Sequence, residues 1–378
     1  MLKNVKLKEL GEIYTGSTPS KKNKEFYNSE DIMFIKPDIL DFDIVNIGVS
    51  NEYISEKARE KARIIPANSL LVSCIGSIGK LGINEKEVAF NQQINAIVPN
   101  NKIKSSRYLA YLLKYNQKKL ESIANAPVVP IINKTQFSEF EVLIHEDLNF
   151  QEQITQILDK SKEIIEKRKE QIQFLDKLVK SKFIEMFGDP INNPMKWEVK
   201  KMKDISVNIM SGNTPKGGEQ VYVESGIMFL RSQNVWKNKL LLDDVAYIDQ
   251  ATHNKMKKSS LKNRDILMTK TGRINTENSS LGRAAMFLGE DDSANINGHV
   301  YLIRLQEQII NEFVLYILTS KEYRGYIRSV CVGGIDKRQL NKEHIEDFPI
   351  IFPPIEKQKK FVSYVNQVDK LKFEIERV

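Results

Sequence analysis

The chain of 378 residues is long enough for two or three domains. At 41% hydrophobic and 28% charged it has neither a disordered nor a fibrous composition. Its formal charge of +8 favours a polyanionic partner, but no segment carries most of the excess, so a nucleic-acid surface would be a local patch. Cys74 and Cys331 have no CxxC or metal-ligand spacing, and four histidines add no obvious zinc set. That usage fits a reducing, cytoplasmic setting. The start MLKNVKLKELGE lacks an apolar core, and no run approaches 18 apolar residues, so neither secretion nor a membrane span is expected.

In chain order, residues 1–149 read as a first α/β domain. Asp31–Lys36, Ser69–Ile75 and Ile94–Val98 are short β-branched runs bounded by turn residues, and Arg107–Tyr115 has helical apolar spacing. Residues 150–190 are different. Phe150–Phe187 has no Gly or Pro, and Leu158, Ile165, Ile172, Val179 and Met186 recur every seventh residue among charged neighbours. A seven-residue apolar repeat predicts a helix whose seam packs on another long helix. At 1.5 Å per residue it is roughly 57 Å long, which suits a spacer better than a core helix.

Gly188–Pro194 is rich in helix breakers, and a second α/β domain follows over residues 191–354. Its strands are predicted at Ile227–Arg231, Asp265–Thr269 and His299–Leu305, and a helix at Glu312–Ser320. Ile351-Phe-Pro-Pro354 then signals helix entry into residues 355–378. Phe361, Val365, Val368 and Ile375 give this last helix its own apolar seam.

The second domain repeats the first. Tyr14-Thr-Gly-Ser-Thr-Pro19 returns as Met210-Ser-Gly-Asn-Thr-Pro215, and Ile32-Met-Phe-Ile-Lys36 as Ile227-Met-Phe-Leu-Arg231. Tyr53-Ile54 returns as Tyr247-Ile248, Leu70–Gly76 as Ile266–Gly272, and Phe90–Ile94 as Ile296–Val300. Tyr108–Leu113 matches Phe313–Leu318, Lys134-Thr-Gln-Phe137 matches Lys337-Arg-Gln-Leu340, and Gln153 answers Gln358 at the helix starts. Order is kept throughout, with an insertion in Gly272–Gly282.

These paired segments, with the Phe183-x-x-Met-Phe-Gly-Asp189 helix ending, resemble the specificity (S) subunits of type I restriction-modification systems. The resemblance spans essentially the whole chain and rests on the duplicated order, since each motif alone is short. It implies an α+β fold: two tandem homologous target-recognition domains separated by long helices that form an antiparallel coiled coil with pseudo-twofold symmetry. Each domain would read half of a bipartite double-stranded DNA target. Two methyltransferase (M) subunits would dock and bring S-adenosylmethionine, with no cofactor on this chain, and translocase-nuclease (R) subunits could join them. The last helix is about 14 residues shorter than the first. That shortfall is expected to leave roughly Leu175–Phe187 of the seam for an M subunit or a second S chain.

No catalytic signature accompanies this layout. Asn193-Pro194-Met195 lacks the second Pro and the aromatic of an amino-methyltransferase tetrad, and Gly76-Ser-Ile-Gly79 and Gly217-Gly218 lack Walker spacing. No catalytic residue or metal ligand is expected. Base reading needs side chains with paired donors and acceptors, whereas phosphate contacts fix position. Candidates lie in repeated loops: Thr18, Ser20, Lys21 and Lys22, answered by Asn213, Thr214 and Lys216; Lys36, answered by Arg231, Gln233 and Asn234; Lys80, Lys270 and Arg273; and Asn91, Gln92 and Gln93, answered by Asn297 and His299. Positions that differ between copies, such as Gln233, Asn234 and Arg273, are the better readers. A helical adaptor with no nucleic-acid readout is the competing reading.

Overall fold

The computed structural model describes residues 1–125, 128–274, 276, 278–334 and 336–377. Its contacts form two compact units, Met1–Lys167 and Arg168–Val378. The division falls inside the long helix.

In the first unit a five-stranded sheet runs in the order Gly11–Thr15, Ile94–Pro99, Leu70–Ser73, Leu81–Asn84, Ile44–Ile47. Leu70 and Val72 point into the core beneath the helices, while Leu71 packs on the opposite face with Phe90, Ile94 and Ala96. Burial on both faces is why Leu70-Leu-Val is a continuous apolar run rather than an alternating one. A second sheet orders Tyr53–Ile54, Ile32–Ile35, Val88–Phe90 and Ile64–Ile65, and Leu2–Lys6 pairs with Glu141–His145. The helices are α1 (Ser106–Tyr115), α2 (Gln117–Ser122), α3 (Lys134–Glu139) and the start of α4 (Leu148–Phe187).

The second unit repeats this plan. One sheet runs Ser206–Ser211, Val300–Leu305, Ile266–Thr269, Ala284–Met286, and another runs Tyr222–Val223, Ala246–Ile248, Ile227–Leu230, Ala294–Ile296. Ile266 and Met268 face one core and Leu267 the other, as in the first copy. Its helices are α5 (Met202–Ile205), α6 (Gln250–Lys255), α7 (Asn311–Thr319), α8 (Lys321–Val330), α9 (Lys342–Glu346) and α10 (Ile355–Arg377).

Backbone hydrogen bonds align the copies residue by residue and correct two pairings made from sequence. Ile132 N–H donates to the Cys74 carbonyl as Leu340 N–H donates to that of Lys270. Asn133 and Asn341 then cap α3 and α9 with matching capping boxes. Lys134–Phe137 therefore corresponds to Lys342–Ile345, and Lys337–Gln339 is instead a strand. At the helix starts the partner of Gln358 is Gln151, not Gln153. Gln151 and Gln358 are both buried, and their amides donate to the His145 and Pro353 carbonyls at 2.6 and 2.7 Å. Gln153 is exposed.

α4 has 40 residues and is about 60 Å long. At its N-terminal end Asp147 accepts from the Asn149 N–H, and Arg107 and Tyr111 both engage Asp159. Lys162 and Lys114 both reach Asp43. Burial favours the protonated form of Asp43, but the two ammonium groups outweigh it and hold this carboxyl well below the usual range.

At its C-terminal end Phe183 and Phe187 stack against Phe361 of α10, with ring centroids 5.3 and 5.6 Å apart, and Phe313 joins them. Further along α10, Lys372 meets Asp176 at 2.6 Å. The two helices are thus antiparallel. This overturns the expectation that Leu175–Phe187 lacks a partner. α10 begins against that stretch, burying Val179, Phe183 and Phe187 and partly covering Leu175 and Met186. The exposed part of the seam is the other end: Ile157 is 65% exposed, Ile165 52%, and Leu158 and Ile164 are also open. Ile172, Val365 and Ile375 are half-buried, and Val368 is buried.

Truncating Phe361 to alanine empties the centre of the aromatic cluster and should cost about 3–5 kcal/mol. Phe174→Ala, at a ring 60% exposed, should stay within about 0.5 kcal/mol. Urea melts of the full chain test the contrast. The depressed Asp43 pKa adds stability that is complete above the ordinary carboxylate pKa of about 3.9 and is lost as pH falls toward the native value. Asp43→Asn should therefore flatten the stability–pH curve below about pH 4, and an unchanged slope there would refute the assignment.

Candidate nucleic-acid interface

In each unit three loops meet at one end of the main sheet. In the first, Gly16 N–H donates to the Ile94 carbonyl and Ser17 N–H to that of Phe90. Asn91 N–H donates to Ile35 and Cys74 N–H to Gln93. In the second, Gly212 donates to Val300, Asn297 to Leu230 and Lys270 to His299. The glycines are steric necessities: a Cβ would lie 2.1 Å from the Asn91 carbonyl oxygen at Gly16 and 2.0 Å from that of Ile296 at Gly212. The Thr-Gly-x-Thr-Pro likeness thus records close backbone approach.

On this shared frame the candidate side chains differ in availability. Asn91 is buried; its Oδ1 accepts from the Gln93 N–H and its Nδ2 donates to the Gln93 side chain. Asn297 closes its own turn in the same way, accepting from the His299 N–H. Both asparagines shape the loop. Gln92 is exposed beside Thr18, whose hydroxyl lies 2.7 Å from Gln92 Oε1, and Gln93 is half-buried. Ser20, Lys21, Lys22, Asn213, Thr214, Lys216 and His299 are exposed. The structure brings Thr18 to Gln92 and places Thr214 beside Gly298, with Lys270 and His299 adjoining.

The strand-end candidates are more constrained. Lys36 forms an ion pair with Glu52, and Arg231 Nη2 lies 3.1 Å from Asp244 Oδ1. Gln233 also donates to Asp244, at 3.0 Å, while remaining exposed. Asn234 is only 1% exposed; its amide donates to the Leu241 and Asp244 carbonyls and its oxygen accepts from the Arg231 N–H. A side chain so enclosed cannot reach a base edge, which corrects the expectation that Asn234 is a reading residue.

Lys80 has a counterpart that sequence comparison missed. Lys80 N–H donates to the Ser73 hydroxyl, and Arg283 N–H donates to that of Thr269. Lys80 sits over the Phe42 ring at 5.7 Å and Arg283 over the Trp236 ring at 3.9 Å, so a cation on an aromatic face occurs in both copies. Gly79-Lys80 against Gly282-Arg283 was the available signal, hidden by the intervening insertion. Arg273 is exposed on an added strand. Among the described residues no group of three or more His, Cys, Asp or Glu side chains could hold a metal ion, and no helix is long and apolar enough to cross a membrane.

The family model for the type I restriction modification DNA specificity domain matches residues 2–173 and again residues 194–377. The chain belongs to this family. It is similar to the type I restriction enzyme MjaIX specificity subunit of Methanocaldococcus jannaschii, 26% identical over 382 residues, covering 95% of this chain and 85% of the relative. The MjaVIII specificity subunit of the same organism is 25% identical, covering 87% and 78%. The S subunit of the M. genitalium type I restriction-modification system shares the fold, with a TM-score of 0.57 at 15% identity, over 100% of this chain and 91% of that one. So does a chain from a structure describing complex assembly and conformational transition of the type I R-M system, with a TM-score of 0.61 at 14% identity over 100% and 92%. As a family member, the chain is a DNA-recognition subunit and not itself a catalyst.

Buried Asn234 and exposed Gln233 provide a test within one loop. Asn234→Ala strands backbone groups in the interior and should cost about 1–3 kcal/mol, whereas Gln233→Ala should leave the unfolding midpoint nearly unchanged. Equal losses would contradict this division of roles.

Proposed function

We propose that each unit of this specificity subunit reads one half of a bipartite duplex target. The observation that carries the reading is the duplicated loop cluster, which keeps its backbone hydrogen bonds while its side chains change. Gln93 becomes His299, Cys74 becomes Lys270, and Gln92 becomes Gly298. A fixed frame carrying variable donors and acceptors suits two different half-sites. Exposed Thr18, Gln92, Thr214 and His299, with half-buried Lys270, are the side chains we assign to base or phosphate contact, with Lys21, Lys22 and Lys216 on the flanking turns.

α4 then sets the separation of the two half-sites, because a continuous helix has a fixed rise per residue. Two M subunits supply S-adenosylmethionine and the methyl-transfer chemistry, and R subunits add cleavage where present. The open stretch Ile157–Ile165 of the seam is the surface on which we place an M subunit.

With its M partner and S-adenosylmethionine, the chain should direct methylation to a split motif in a genome-wide modified-base readout. Absence of any discrete bipartite motif would refute the reading, and salt-insensitive partner binding without DNA association would favour the adaptor instead. Replacing residues 1–149 with the matching domain of a relative should change one half of the motif only. Adding about two helical turns within residues 168–174 should lengthen the gap and leave both halves unaltered. A changed half-sequence with an unchanged gap would exclude the spacing role.

A further inference from the structure

The second unit departs from its twin most clearly at one loop. Ser73–Lys80 spans 8 residues, and the equivalent Thr269–Arg283 spans 15. Its described residues add a strand. Thr271–Arg273 pairs with Lys337–Gln339, which pairs in turn with Val332–Gly333, giving a three-stranded antiparallel sheet. In the first unit the described residues of this region form only the isolated bridges Ile75–Ile131 and Asn125–Ile131. The neighbouring helix has grown too: α8 has 10 residues where α2 has 6. Ile327 of α8 packs directly on Gly282, where a Cβ would lie 2.8 Å from its side chain, so loop and helix are one assembly.

That assembly is rich in cations. Arg283 is its organiser. It stacks on Trp236, and its guanidinium donates to the Ser279 and Asn278 carbonyls, which hold the insertion closed. Arg324 and Arg328 follow one helical turn apart on α8. Burial and then the neighbouring arginine lower the affinity of Arg283 for its proton, through Arg324, and of Arg324, through Arg328. Arg273, Lys337 and Arg338 lie on the added sheet. Among the described residues none of Arg273, Arg324, Arg328, Lys337 and Arg338 forms an ion pair, and Arg338 Nε is buried without a hydrogen-bond partner. Lys180, by contrast, pairs with Glu322 of α8. Clustered like charges destabilise a fold unless a polyanion covers them.

The cluster also adjoins the loops assigned to DNA. Lys270, whose N–H donates to the His299 carbonyl and whose carbonyl accepts from Leu340, leads straight into Thr271–Arg273. Guanidinium forks match phosphate oxygens bidentately, and such contacts hold register without reading sequence. We propose that Arg273, Arg324, Arg328, Lys337 and Arg338 form a phosphate clamp, peculiar to the second unit, that grips the DNA backbone beside the half-site read by that unit. This rests on the DNA reading given above.

The test uses the chain assembled with its M subunits and a labelled random-sequence duplex, with affinity measured from about 50 to 200 mM salt. The triple variant Arg273→Gln, Arg328→Gln, Lys337→Gln removes three phosphate partners from side chains outside the core. It should flatten the slope of log K against log salt by about 2–3, and the methylated motif should stay the same. Restoring charge with lysine at the two arginine positions should recover most of the slope. If wild-type affinity ignores salt, the DNA reading itself fails. If the wild-type slope is steep and the triple variant keeps it, the clamp alone fails. A variant that relaxes one half of the methylated motif would also overturn the clamp, because those side chains would then be reading bases.

Discussion

The chain's architecture depends on how the two ends of α4 are held. A helix of 40 residues cannot bury its own seam, so each end must find a core. At the C-terminal end the solution is aromatic: Phe183 and Phe187 interlock with Phe313 of α7 and Phe361 of α10. At the N-terminal end it is largely polar, through Gln151, the Arg107–Asp159–Tyr111 network and the Asp43 ion pairs. Burial and the adjacent Asp159 carboxylate push the Tyr111 hydroxyl up to about 12, which keeps it a donor at any physiological pH. Each attachment fixes its own end of the helix against its own unit.

Between those ends the seam is open. Ile157, Leu158, Ile164 and Ile165 are exposed along it. The apolar repeat therefore has two functions along its length: one half completes the core of the second unit, and the other remains a surface. A sequence repeat records only that something apolar packs there.

This is where sequence reading reaches its limit. The helix itself was plain, because 38 residues without Gly or Pro and with a sevenfold apolar row admit few other structures. Strands such as Ile94–Pro99 and Val300–Leu305 were found within a residue or so, since β-branched runs between turn residues are local signals. Which half of α4 meets α10 was not legible, since the fold-back is decided by Phe361 choosing Phe183 and Phe187. Gln151 and Gln153 look alike in sequence, and only burial separates them. The longer α8 and the strands added before α9 displaced the alignment, so Lys337–Leu340 was matched to a helix it does not resemble. Asn234 was read as a base-reading side chain because its chemistry suits that task, yet a capping box and two carbonyls claim it completely.

Duplication gives two equal frames, and the interest lies in how they have diverged. Where the first unit docks its long helix with Arg107, Asp159 and Lys162, the second has Glu312, Asn366 and Asp369 at the matching positions, around an apolar cavity of about 490 Å³ lined by Leu240, Leu315, Tyr316 and Val365. Where the first unit turns tightly at Gly76–Gly79, the second adds a sheet, a longer helix and unpaired arginines. Neither change touches the hydrogen bonds that hold the paired loops, such as Cys74 to Gln93 and Lys270 to His299. The backbone scaffold can therefore tolerate changes in charge, loop length and packing around it while the presented loops stay in place. A protein that must keep one geometry while altering what it recognises needs that separation, and here the shared frame is held chiefly by main-chain groups, with the Asn91 and Asn297 side chains closing its turns.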